Sequence, residues 1–191
     1  MKQAAFTPWR WSREAYERMV DLGAFDRVPV ELVAGQLIVA EPQGSYHATG
    51  VGIVDDAFRA ALPPGFLVRV QAPVALDDES EPEPDVAVVP GARGDYRHAH
   101  PIRPALVVEV SDSSLEFDRR GKASLYARGG VQDYWIVNLV DRMLEVYREP
   151  VPDPAALHGW RYASMEVFGP SVTVAPLALP SVRLSVSSLL P

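Results

Sequence analysis

The stretch from Ala105 to Ser111 reads ALVVEVS, and it restricts the possible folds more than any other part of the chain. Introduced by Pro104 and rich in Val and Leu, it has the character of a strand buried on both faces. A carboxylate inside such a strand, Glu109, is costly unless a cation or a metal balances it. The fold must therefore bring positive charge to that point.

The residues beyond this strand narrow the class further. Ser113 with Glu116 has the pattern of a capping box and predicts a helix over about Leu115 to Arg128, closed by Gly129-Gly130. VQDYWIV and MLEVY then predict two more strands around a short turn from Asn138 to Arg142. Strands arranged about a helix in this way imply an α/β or α+β sheet covered by helices.

Upstream, Ser12 is placed to cap a helix reaching about Leu22, with Glu14 in its first turn and Gly23 as the stop. VELV and QLIV flank Ala34-Gly35 as a two-residue hairpin. From His47 to Leu62 the apolar positions Val51, Val54, Phe58 and Ala61 recur at helical spacing until Pro63-Pro64-Gly65. Leu67 to Leu76, with Pro73 near its end, reads as an edge or bulged strand, and DVAVV as the next one. Pro170, Pro176 and Pro180 punctuate a C-terminal part that should add edge strands and a final helical turn.

With 191 residues, 48% of them hydrophobic, the chain is expected to form one domain with a substantial core. The absence of cysteine excludes disulfides, thiolate zinc sites and cysteine nucleophiles, so any metal must be held by oxygen or imidazole. The N-terminal residues lack the apolar run of a secretion signal and no stretch reaches membrane-spanning length, giving the expectation of a soluble, cytoplasmic protein. The net charge of -7 argues against indiscriminate nucleic-acid binding, but six acids crowd into the nine residues from Asp77 to Asp85 and the rest is nearly balanced.

Asp85 ends that acidic loop at the entrance of the DVAVV strand, 24 residues before Glu109. If the two strands are neighbours the carboxylates converge, and a hard cation such as magnesium would take both as ligands. The alternative is that Glu109 pairs with an arginine and Asp85 merely opens a turn. The chain has sixteen arginines and only two lysines, Lys2 and Lys122. Lysine at 122 suggests a requirement for a compact ammonium whose proton affinity can be tuned; the competing reading is a surface ion pair with Asp118 one helical turn away. His98 and His100 lack a third imidazole and read as loop, Trp135 as core, and Ser111, Ser113 and Ser114 as helix-capping residues.

Pro84-Asp85, VVEVS at Val107 to Ser111, FDRRGK with Asp118 and Lys122, and YARGGVQDYWIV at Tyr126 to Val137 together resemble the Uma-type family of restriction-endonuclease-like proteins, in the PD-(D/E)XK nuclease superfamily. VELVAGQLIV and His47 at the next helix extend the resemblance, which runs from about Ser12 to Arg148. The resemblance implies a central mixed sheet of four or five strands flanked by helices, with an N-terminal helix and hairpin. It also implies a magnesium- or manganese-dependent site in which Asp85 and Glu109 hold the metal and Lys122, from the following helix, completes the catalytic set. The superfamily's usual lysine position, two residues after the second acid, is here Ser111, and Asn138 stands where an aspartate often follows the tryptophan strand.

Glu31 and His47 are accessory candidates with Asp118, while Arg119 and Arg120 are candidates for phosphate contact; each also has a plain structural explanation. The expected activity is hydrolysis of DNA phosphodiesters, with a homodimer suggested by analogy to two-strand cleavage. A catalytically silent nucleic-acid-binding or regulatory module and a metal-free sugar hydrolase are the rival expectations.

Overall fold

The computed structural model describes residues 7–39 and 42–191. The first six residues, part of the reading against a secretion signal, lie outside that range, as do residues 40 and 41.

Ser12 adopts extended backbone and its Oγ accepts the Ala15 N–H at 3.2 Å, which starts α1 (Arg13–Asp21). Leu22 caps the C-terminus, and Gly23 comes next with φ of 74°. The hairpin of β1 (Val30–Val33) and β2 (Gln36–Val39) turns on Ala34 and Gly35. Both have positive φ, 48° and 74°, the combination a tight right-twisted hairpin requires. Alanine is disfavoured there, and the acidic loop braces it: Ser80 Oγ accepts the Ala34 N–H and the Glu79 carbonyl accepts that of Gly35.

The main sheet has six strands rather than four or five: β3 (Phe66–Val70), β4 (Val86–Pro90), β5 (Leu106–Ser111), β6 (Asp133–Asn138), β7 (Met143–Pro152) and β8 (Trp160–Phe168), in that spatial order. Only β5 and β6 run parallel, so the helical segment between them is the crossover. The strand expected over Leu67 to Leu76 ends at Val70, because Gln71 turns to φ of 45° and Pro73 has no N–H to donate. The added sixth strand is β8, which pairs with β7 along a long hairpin. The C-terminal part closes on the expected helical turn, Val186–Leu189, but its strands β9 (Thr173–Val174) and β10 (Leu184–Ser185) pair with each other in a separate ribbon rather than adding edges to the main sheet.

Helix α2 (Ser45–Ala61) covers one face of the sheet together with the C-terminal segment, burying Val51, Val54 and Phe58 against Val86, Val108 and Trp135. Full burial of each such side chain stabilises by about 1.5–3 kcal/mol. Gly50 lets α2 approach β5 closely, since a Cβ there would lie 2.9 Å from Val110 Cγ1.

The opposite face carries the crossover, α3 (Leu115–Phe117) and α4 (Ala123–Arg128) joined by a wide π turn over Asp118–Lys122. Its layer packs Leu125, Tyr126 and Tyr134 with Val33 of the hairpin. The capping box expected of Ser113 and Glu116 does not form. Ser114 is the N-cap residue and its side chain makes no capping bond. Instead Ser114 Oγ and Ser111 Oγ both donate to Asp118 Oδ2, at 2.6 and 2.7 Å, so the serines hold a buried acid rather than a helix end. The Ala123 N–H reaches the Asp118 carbonyl five residues back, which also accepts the Tyr134 hydroxyl at 3.1 Å.

Candidate active site

Strand register brings the two central acids together. Val86 is level with Val108, which puts Asp85, one residue earlier on the antiparallel neighbour, level with Glu109. The Asp85 N–H donates to Glu109 Oε2 at 3.1 Å, and the Val110 N–H donates to Asp85 Oδ2 at 2.8 Å. The Glu109 carboxylate thus sits on the Asp85 backbone, and the Asp85 carboxylate on the backbone of the residue after Glu109. Both are almost removed from solvent, at 2% exposure for Glu109 and 7% for Asp85.

Lys122 supplies the charge that the sequence required. Its ammonium lies 2.9 Å from Glu109 Oε1, and the Tyr126 hydroxyl donates to the same oxygen at 2.7 Å. The surface pair expected as the alternative for Asp118 and Lys122 does not occur, because Asp118 is buried on its serines and Lys122 points inward with 12% of its side chain exposed. From the other side, His47 Nε2 stands 3.2 Å from Asp85 Oδ1, and the Gln71 side-chain amide donates to that oxygen at 3.4 Å. His47 lies in the first turn of α2 and Asp85 immediately before β4, so the start of a helix and the start of a strand meet here.

Burial pushes the Glu109 carboxyl up to about 8, against the opposing pull of Lys122. Burial also disfavours charge on Lys122, but Glu109, Glu31 and Asp118 more than offset it and raise its proton affinity. A proton on Glu109 would remove the charge that does most to raise Lys122, so the two shifts compete. The hydrogen bonding decides in favour of the ion pair: Asp85 N–H, Tyr126 O–H and Lys122 all donate to Glu109. Burial opposes ionisation of Asp85 too, yet His47, the Val110 N–H and Lys122 hold its carboxyl below the usual range. The hydrogen bond to Asp85 raises the His47 imidazole despite burial.

Glu31 accepts the Glu83 N–H at 3.1 Å, and its charge reaches Lys122 and Tyr126. Among the described residues no three His, Asp or Glu side chains converge as a ready-made metal cage. The donor set is two carboxylates. Counting lone pairs, Asp85 Oδ2 and Glu109 Oε2 each receive one hydrogen bond and retain acceptor capacity. Two hard oxygens with the remaining positions left to water suit a magnesium-sized ion, which keeps several waters.

Arg119 and Arg120 part company. Arg119 makes a bidentate pair with Glu145, with Nη2 2.6 Å from Oε1 and Nε 3.1 Å from Oε2, and is thereby committed to a buried acid rather than free for phosphate. Arg120 is exposed and pairs with Glu116 at 3.3 Å. Sequence reasoning gave Glu145, Gln71 and Tyr126 no role. Glu145 carried the same signal as Glu109, an acid inside an apolar strand, in LEV of β7. Its partners besides Arg119 are the Tyr147 hydroxyl and Asn138, whose amide donates to it at 2.8 Å.

The Uma2 family model, described as a putative restriction endonuclease, matches residues 13–187. The chain belongs to the Uma2 family. A crystal structure described as a putative nuclease belonging to DUF820, from Anabaena variabilis, is similar to this Uma2 chain with a TM-score of 0.62. The two share 18% identity over 84% of this chain and 88% of the other, a likeness that shows a common fold. No curated protein matches the chain. Among the described residues of this Uma2 chain, no helix is long and apolar enough to cross a membrane.

Proposed function

We propose that this chain is a divalent-metal-dependent endonuclease acting on DNA, with Asp85 and Glu109 as metal ligands and Lys122 as the catalytic cation. The observation that carries the reading is the convergence of Asp85 and Lys122 on Glu109, the Asp85 N–H on one of its oxygens and the Lys122 ammonium on the other, from separate parts of the chain. Membership of a family described as putative restriction endonucleases supports it.

A magnesium or manganese ion bound there supplies Lewis acidity toward a phosphoryl oxygen and lowers the pKa of a bound water. The protein's own part begins with Asp85, held ionised by His47 and the Val110 amide and so ready as a ligand without prior loss of a proton. Glu109 is fixed by the Asp85 N–H and the Tyr126 hydroxyl and has little rotamer freedom to lose on binding. Lys122, whose proton affinity is raised, serves as a donor: it orients the attacking water or a phosphate oxygen and offsets negative charge that builds on the phosphate. The surrounding carboxylates oppose any role for it in taking a proton from that water. His47, Gln71 and Tyr126 act as positioning residues.

Calorimetric titration with magnesium or manganese, on the parent protein and Glu109→Gln, tests the ligand assignment. Uptake by the parent that the substitution abolishes is expected, and equal uptake by both would overturn it. Plasmid cleavage that falls at least 100-fold in Lys122→Ala, with metal uptake retained, is the expected sign of the lysine's role; an inactive parent with intact metal binding would leave a silent nucleic-acid-binding module as the better description.

A further inference from the structure

Beside this site, along the outer edge of the sheet, lies a cleft of about 230 Å³ bordered by Arg59, Arg69, Arg93 and Tyr96. Arg69, in edge strand β3, is half-buried, and its guanidinium lies 5.6 Å over the Tyr96 ring. Its hydrogen-bond partners are neutral: the Pro73 carbonyl at 3.4 Å and His100 Nδ1 at 3.2 Å. Nε of Arg69 is buried with no partner at all among the described residues.

The charges around Arg69 do not compensate it. Burial lowers its proton affinity, Tyr96 opposes that only in part, and Arg93 adds to the lowering. Among the described residues Arg93 forms no ion pair, while Arg59 is taken by Asp55 at 2.7 Å and Asp95 by the Ala92 N–H. A guanidinium taken partly out of water without a counter-ion is an unfavourable arrangement. Planar guanidinium groups are suited to the oxygens of a phosphate, which they bind bidentately.

The cleft straddles the sheet edge, with Arg59 of α2 on one side and Arg69 on the face that carries Glu109. Arg69 is level with Ala87 of β4, and Asp85 lies two residues before Ala87, so all three project to the same side of the sheet as Glu109. One strand spacing and two residues along separate the Arg69 and Asp85 backbones, roughly 8 Å. That is within the reach of one nucleic-acid strand lying across both places. Gln71, two residues beyond Arg69, reaches Asp85 itself and ties the two places together.

We propose that the Arg69–Arg93 cleft is a backbone-phosphate subsite that grips the nucleic-acid strand close to the scissile bond. This rests on the nuclease reading for its occupant, but the anion site stands on the uncompensated guanidinium alone. In this arrangement Tyr96 fixes the plane of Arg69, Arg93 approaches from the loop after β4, and the bound phosphate supplies the missing counter-charge.

The test has two arms. In the first, inorganic phosphate is titrated against the melting temperature of the parent, Arg69→Gln and Arg93→Gln. Stabilisation of the parent that is lost in Arg69→Gln and reduced in Arg93→Gln is expected; identical phosphate responses in all three would overturn the subsite. Without phosphate, Arg69→Gln should melt no lower than the parent, because it removes an uncompensated charge, and a large fall would assign Arg69 a structural role instead. In the second arm, anisotropy of a labelled DNA oligonucleotide is measured in the Glu109→Gln background. Arg69→Gln should weaken binding about tenfold and reduce the salt dependence by about one counter-ion. Phosphate binding without any effect on oligonucleotide affinity would keep an anion site and refute its nucleic-acid occupant. Loss of cleavage is read separately through Glu109→Gln, so failure of the nuclease assignment leaves the first arm decisive.

Discussion

Replacing Lys122 by methionine is the most direct perturbation of the central cluster. It keeps the length and most of the volume of the side chain but removes the ammonium 2.9 Å from Glu109. Glu109, at 2% exposure and beside Asp85, is then left with the choice of staying charged without a partner or taking up a proton. An unpaired buried charge costs about 3–5 kcal/mol. Protonating a carboxyl whose ordinary value is 4.5 costs about 3 kcal/mol at pH 7 and less than about 1 at pH 5. The cheaper route sets the loss, so Lys122→Met should be destabilised by about 3 kcal/mol at pH 7.

The direction of the shift fixes the sign. A folded-state value above the unfolded one means that stability from this group is full below about 4.5 and is lost as pH rises. In the parent the ion pair with Lys122 keeps Glu109 charged and offsets that loss; without the ammonium, burial sets the folded value and the loss grows as pH rises above about 4.5. Urea unfolding of both proteins in EDTA at pH 5, 6, 7 and 8 should therefore show a gap that widens steadily with pH. A gap independent of pH, or below about 1 kcal/mol at pH 7, would refute the claim that Lys122 neutralises Glu109.

Three further perturbations probe other parts of the molecule. Burial and nearby Glu17 push Glu81 up to about 8; its contribution is present below about 4.5 and lost through pH 8, so Glu81→Gln should match the parent near pH 4.5 and exceed it by a few kcal/mol at pH 9 in denaturant titrations. Arg148→Met leaves Asp133, which is fully buried, without its guanidinium and should cost about 3–5 kcal/mol by chemical denaturation, a loss that pairing with Asp133→Asn should reduce. Gly129→Ala would drive a Cβ into Leu76 Cγ and should lower stability by about 1–3 kcal/mol, a penalty that should shrink in a Leu76→Ala background.

Much of this site was legible because its signals were conflicts. Glu109 in an apolar strand demanded a partner, and the scarcity of lysine drew attention to Lys122. The hairpin turn at Ala34-Gly35 and the Ser12 cap were readable because local backbone chemistry decides them. The serines were misread for the converse reason. Ser113 and Glu116 satisfy a local pattern, but a buried acid four residues beyond Ser114 competed for the hydroxyls and won. The end of β3 and the length of β7 and β8 depend on which strand lies alongside, and no local pattern encodes that. Arg119 looked like a free surface cation because Glu145, its partner, is 26 residues away on another strand.

The π turn at Asp118–Lys122 has a consequence for how such a site is lost. One extra residue is accommodated there, and each residue of an ordinary helix rotates the chain by about 100°. Excising a single residue, Gly121 for instance, would let the segment wind as an uninterrupted α-helix and swing the amine away from Glu109 or drag Tyr126 out of its layer. A descendant of this chain could thus retain every charged side chain of the centre and still be inert, its history recorded as a gap of one position.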